Sequence, residues 1–201
     1  MRPTDFVDRW VGINILDVQF DQGLDILDAR DEGSPKASRA TGRPDFTKFN
    51  VYAAGLQALF PRWSLLVAAN GQYAYTDLLS PEEFGVGGEQ FGRAYDASEI
   101  VGDSGVAGKA ELRFNFSAPV NGLWNEFTLY GFYDGGKVWQ RNAEAKGLQN
   151  SESITSTGVG LRFNVSRWIS GYVEVNKPLG GDVFAEGNDN ARIFAAISIS
   201  H

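Results

Sequence analysis

The chain has 201 residues, enough for one domain, with 24 glycines, 13% aromatic residues and a formal net charge of −7. An acidic chain is poorly suited to nucleic acid, whose binding depends on clustered Lys and Arg. With no cysteine and a single histidine at the last position, His201, it has no disulfide, thiolate chemistry or cysteine metal centre, and a Ser-His relay is implausible.

Short alternating runs and abundant glycine predict an all-β fold. Residues 10–24 read as a first strand, with a phase slip at Ile15-Leu16 that predicts a β-bulge. Residues 25–46 read as a long polar loop, and residues 47–60 as a second strand ending at the Pro61-Arg62 turn. The third strand, 63–76, sets Leu65, Val67, Ala69, Tyr73 and Tyr75 against Asn70, Gln72 and Thr76.

Residues 77–105 then form an acidic loop that carries Gly85, Gly87, Gly88, Gly92 and Gly102 and has no periodicity of its own. Asp77, Glu82, Glu83, Glu89, Asp96, Glu99 and Asp103 face a single cation there, Arg93. A connection of that length in a compact domain signals function or disorder. The glycines favour function, by allowing close backbone approaches. We expect the loop to fold back into the mouth of a barrel with Arg93 as its anchor.

The fourth strand, 108–116, alternates most cleanly: Ala110, Leu112, Phe114 and Phe116 oppose Lys109, Glu111, Arg113 and Asn115. After a turn at 118–122, the fifth strand (124–139) opposes Phe127, Leu129 and Tyr133 to Glu126, Thr128, Tyr130, Phe132 and Asp134. A polar loop (140–151) leads to the sixth strand (155–165), where Val159, Leu161 and Phe163 oppose Arg162 and Asn164. The seventh strand (168–177) opposes Val173 and Val175 to Tyr172, Glu174 and Asn176. A last acidic loop (178–190) precedes the eighth strand, 191–201.

Eight strands joined alternately by long and short connections match an outer-membrane barrel, with tight turns at one end and long loops at the other. Trp10, Trp63, Trp124, Tyr133, Trp139 and Trp168 stand near strand ends, where an interface would hold their rings. No apolar run reaches the ~18 residues of a membrane-spanning helix, which leaves a barrel open. The rival is a soluble eight-stranded barrel of lipocalin type, since periodicity alone cannot distinguish inward from outward. The first residues lack a signal peptide's basic and apolar regions, which predicts a chain cut from a longer one or stripped of its targeting segment.

The segment Gly87-Gly88-Glu89-Gln90-Phe91-Gly92-Arg93-Ala94-Tyr95 resembles a motif of two-partner secretion translocators, the FhaC/ShlB/HecB-like hemolysin secretion and activation proteins related to the BamA barrels. That motif reads Gly-Gly, a spacer, then Val-Arg-Gly-Tyr. The stretch from Leu129 to Trp139, with Phe132, Asp134 and Gly136, is similar to a further family motif, Phe-x-Asp-x-Gly, and Gly102-Asp103 with Glu111-Leu112-Arg113 resembles the strand after the loop. The chain departs from the pattern at Gly92, Ala94 and His201, where Val, Gly and a terminal aromatic are usual.

The resemblance implies that residues 1–201 are the C-terminal half of a sixteen-stranded antiparallel transmembrane β-barrel in the bacterial outer membrane. The function it implies is a pore, not an enzyme and without cofactor or metal, that exports a large unfolded partner protein of hemolysin or adhesin type. Its implied partners are that secreted client, outer-membrane lipid and the barrel-assembly machinery. The alternative is a self-contained eight-stranded barrel serving structure or adhesion. The implied anchor and gate are Arg93, Tyr95, Asp134, Gly87, Gly88 and Gly136, with Lys109, Glu111, Arg113, Arg162 and Glu174 facing the lumen. Arg93 and Asp134 are expected to pair.

Overall fold

In the computed structural model, the described residues are 4–7, 12–26, 38–39, 41–120, 123–147, 149–165 and 168–200. Alternation of β-branched and aromatic residues with polar ones makes long strands after a short first one: β1 (Thr4–Val7), then β2 (Gly12–Gln22), β3 (Thr47–Phe60) and β4 (Trp63–Ala74). Two short strands, β5 (Phe84–Val86) and β6 (Ile100–Gly102), lie inside the acidic loop. Then come β7 (Ser104–Val120), β8 (Leu123–Trp139), β9 (Ser151–Val165), β10 (Ile169–Pro178) and β11 (Arg192–Ile199), with one helical turn, α1 (Ala143–Lys146), between β8 and β9.

All but β5 and β6 form one antiparallel sheet in chain order, β1-β2-β3-β4-β7-β8-β9-β10-β11. The eight expected strands are β2, β3, β4 and β7 to β11, and β1 is an addition. Among the described residues β11 pairs with β10 alone, so the sheet is open at both edges.

Three expectations are corrected. The β2–β3 register runs unbroken from Gly12↔Gln57 to Gln22↔Thr47, so no bulge sits at Ile15-Leu16; the irregularity lies between Ala58 and Phe60, beside the Pro61-Arg62 turn. Strand β7 extends well beyond 108–116, because β4 and β8 supply hydrogen-bond partners to residues whose side chains carry no alternation. The acidic loop contains its own hairpin, β5 pairing with β6 from Phe84↔Gly102 to Val86↔Ile100.

Strict pairing puts Leu112, Leu129, Leu161 and Val173 on one face, and Arg113, Tyr130, Arg162 and Tyr172 on the other. The apolar face is the exposed one: Leu129 is 52%, Val159 61% and Ile197 70% exposed. A soluble protein would bury that face, so this sheet is patterned for hydrocarbon outside and water inside. Trp63, Phe114, Phe116 and Phe127 form a chain of ring contacts near the short turns, with centroids 5.0, 5.9 and 5.3 Å apart. Tyr73 and Tyr75 meet at 4.9 Å near the long loops, where Tyr133 and Trp139 are also exposed. Trp168 is exposed as well; Trp10, the Trp124 side chain and His201 lie outside the described residues.

The buried apolar core lies between the sheet's polar face and the acidic loop. Phe84, Val86, Phe91, Ala94, Tyr95 and Ile100 from the loop pack on Ala68, Ala107, Val138 and Ile154 of the wall. Small wall residues make room: a Cβ on Gly105 would meet the Phe84 ring at 2.1 Å.

Candidate functional site

The loop enters through a 3-10 turn, Ser80–Glu82, runs inward along β5, and reverses at Gly87 and Gly88, whose φ angles of 125° and 91° favour glycine. A Cβ on Gly87 would meet the Asp96 carbonyl at 2.1 Å, so the reversal closes only without one. The Gly87 amide donates to Phe91 O at 2.9 Å and the Tyr95 amide to Gly92 O at 2.9 Å, presenting Arg93 to the wall. On the wall, Gly136 of β8 lets the hairpin lie close: its Cβ would meet Val106 O at 2.7 Å and Val86 Cγ2 at 2.9 Å.

Arg93 is 7% exposed. Its Nη2 lies 2.8 Å from Glu111 Oε2 on β7, its Nε donates to Asp134 Oδ2 on β8 at 3.2 Å, and its Nη1 lies 3.6 Å from Glu174 Oε2 on β10. Its amide faces both Asp134 oxygens at 3.4 Å, and its guanidinium stacks 3.6 Å from the Phe132 ring centroid. Around it, Ser156 donates to Asp134, Asn176 Nδ2 donates to Arg93 O at 3.2 Å, and Tyr130 donates to Glu174 at 2.7 Å.

Glu111, expected to face the lumen, is the hub of the cluster. It accepts from Arg162 Nη1 and Arg113 Nε, each at 2.7 Å, besides its contact with Arg93. Alternation put Glu111, Arg113, Arg162 and Glu174 on one face, but only register decides which of them touch. Lys109 stands apart, its ammonium 5.4 Å from the Phe91 ring. Tyr95 points away from the Arg93 cluster, its hydroxyl donating to Gly181 O and accepting from the Gly180 amide, both at 3.1 Å. A further strap is Arg192 on β11, which donates to Ala94 O at 3.0 Å and to Asp96 Oδ1 at 2.8 Å.

These contacts seat a loop against an inner wall at positions spread over five strands. Residues 10–163 match the haemolysin secretion/activation protein family ShlB/FhaC/HecB. The chain belongs to that family.

Two relatives named as transporters agree with it. The chain is 25% identical over 171 residues to "Outer membrane transporter CdiB" of Dickeya dadantii, covering 85% of this chain and 29% of that protein. It is 26% identical over 143 residues to "Heme/hemopexin transporter protein HuxB" of Haemophilus influenzae, covering 69% and 24% respectively. The solved structure "CdiB from Escherichia coli" superposes with a TM-score of 0.73 at 19% identity over 94% of this chain and 33% of that one, which establishes a shared fold. The chain thus spans about a quarter to a third of the length of the proteins it matches. It belongs to an outer-membrane β-barrel family, and its exposed apolar face has the pattern of the outer surface of such a barrel.

The departures from the family's arginine motif have local reasons. Gly92, at the usual valine position, has a φ of 82°, where a β-branched residue would be strained. Ala94, at the usual glycine position, has no positive φ, so its methyl is tolerated and is fully buried.

Proposed function

We propose that the chain is the C-terminal half of a sixteen-stranded outer-membrane pore that exports a large unfolded partner protein of hemolysin or adhesin type. The observation that carries this reading is the Arg93 site: a loop folded against the inner wall and held by Glu111, Asp134 and Glu174 from three strands. Such a loop occupies the space a client must traverse, so its anchor sets whether the lumen is open. Away from the anchor, Asn50, Tyr52, Asn70 and Gln72 line a polar trench of about 430 Å³ beside the loop, a wall along which an extended chain can slide without strong binding. Among the described residues the first and last strands of the sheet do not pair with each other, which favours a partial barrel over a self-contained eight-stranded one. Lipid and the assembly machinery are the partners such a barrel needs for insertion.

The test uses the full-length parent protein carrying Arg93→Ala, Asp134→Ala or both, with client secretion as the readout. If the two act through one contact, the double variant loses no more than the worse single one. Independent, additive losses would count against a shared anchor.

A further inference from the structure

The loop is gripped a second time, at its two roots. Asp103, directly after β6, is fully buried and accepts four hydrogen bonds: Arg39 Nη1 at 2.6 Å, Arg39 Nη2 at 3.3 Å, the Leu78 amide at 2.8 Å and the Arg141 amide at 2.9 Å. Arg39 comes from the connection between β2 and β3. Its Nη1 also lies 2.9 Å from Glu83 Oε1 and donates to Leu78 O, while its Nη2 donates to Gln140 Oε1 at 2.5 Å. Gln140 in turn donates to Val101 O at 2.7 Å, and Arg141 Nη1 to Ala74 O at 3.1 Å. Three long connections therefore meet on one carboxylate.

Sheet pairing does not require this arrangement, since the β4–β7 ladder ends at Gln72↔Gly105 and the β7–β8 ladder at Ser104↔Trp139. A guanidinium and a carboxylate so far from water must remain paired, and the two-pronged contact gives the pairing a direction. Releasing Arg93 leaves both loop roots clamped here. The Leu78 and Arg141 amides belong to the segments they tie, whereas Arg39 reaches across from another loop and can leave without breaking a strand.

We propose that Arg39 and Asp103 are positioning residues of a second latch at the outer mouth, which joins three long loops over the lumen and keeps the pore shut independently of the Arg93 cluster. The inference rests on the export reading and adds a second control point to it. The test is the open fraction of full-length parent protein reconstituted in planar bilayers without client, together with client secretion in cells. Arg39→Gln is expected to raise the open fraction about tenfold, Arg39→Lys less, and Arg39→Gln with Arg93→Ala by the product of the single effects.

A mere folding staple would lower the yield of heat-resistant folded barrel and leave the folded molecules as closed as wild type. An open fraction within about twofold of wild type in folded Arg39→Gln protein overturns the latch. If Arg39→Gln does not fold, Asp103→Asn is read in the same assay; failure of both to fold makes the pair a staple and overturns the proposal too. Wild-type protein that neither conducts nor secretes defeats the export reading itself, whereas conduction and secretion unmoved by Arg39→Gln defeat only the latch.

Discussion

Arg93 makes its shortest carboxylate contact with Glu111, at 2.8 Å, and not with Asp134, at 3.2 Å. Glu111 is 1% exposed and also binds Arg113 and Arg162, so one carboxylate on β7 is shared by three guanidinium groups. Asp134, besides accepting from Arg93 Nε, holds the loop backbone, directly at the Arg93 amide and through Ser156, which accepts from the Ala94 amide. The two acids therefore divide the work between charge and position.

Glu111→Gln removes the shared partner of three cations, and losing one side of a buried ion pair costs about 3–5 kcal/mol. We expect that loss in denaturant unfolding of the refolded barrel, accompanied by faster proteolysis of residues 77–103. Stability within about 1 kcal/mol of wild type would show that the cluster rearranges around Arg113 and Arg162 without Glu111.

Gly136→Val and Gly108→Val should behave oppositely. A Cβ at Gly136 meets Val106 O at 2.7 Å and Val86 Cγ2 at 2.9 Å, so the hairpin cannot seat, at a cost of about 1–3 kcal/mol. A Cβ at Gly108 meets nothing nearer than Ala68 O at 3.5 Å, on the outer face, and the substitution should be tolerated. Limited proteolysis of the loop in folded protein separates the two; equal protection in both variants would contradict the close approach at Gly136.

Leu129→Arg tests which solvent the apolar face meets. Leu129 is mid-strand on β8 and 52% exposed. In a bilayer the substitution costs about 2–4 kcal/mol, whereas on a water-facing surface it would be close to neutral. Folding titrations in lipid vesicles measure the difference, and a neutral result would point to water on that face.

Acid should loosen the outer mouth. Burial pushes the Asp103 carboxyl up, but hydrogen bonds from Arg39, Leu78 and Arg141 more than offset it, leaving the group below its ordinary value. A carboxyl depressed by folding contributes stability above its unfolded pKa, about 3.9, and loses that contribution as pH falls through the folded value. Hydrogen-exchange protection of residues 75–80 and 100–103 should therefore hold at neutral pH and fall below about pH 4. Arg39→Gln should move that loss to higher pH, and an unmoved transition would show that Arg39 does not hold the carboxyl ionised.

Much of the fold was legible because strands that separate two unlike media must alternate: Ala110 to Phe116 against Lys109 to Asn115 is readable without coordinates. The loop hairpin was not, because Phe84-Gly85-Val86 and Ile100-Val101-Gly102 are too short to show a period and are held by packing on Ala107 and Val138. The supposed bulge at Ile15-Leu16 misled for a related reason. The pairing stays regular there, and Ile13 and Ile15 simply share a face with Asp17 and Gln19.

By itself, the sequence determined the eight long strands, their two unlike faces and the singular place of Arg93 among acids, since these follow from local alternation and from charge along the chain. Which acids meet Arg93, that Arg39 reaches Asp103, and that Tyr95 turns toward Gly180 and Gly181 were decided only in three dimensions. Those contacts join residues 18 to 86 positions apart, and their partners are selected by strand register and by glycines that let the loop approach the wall.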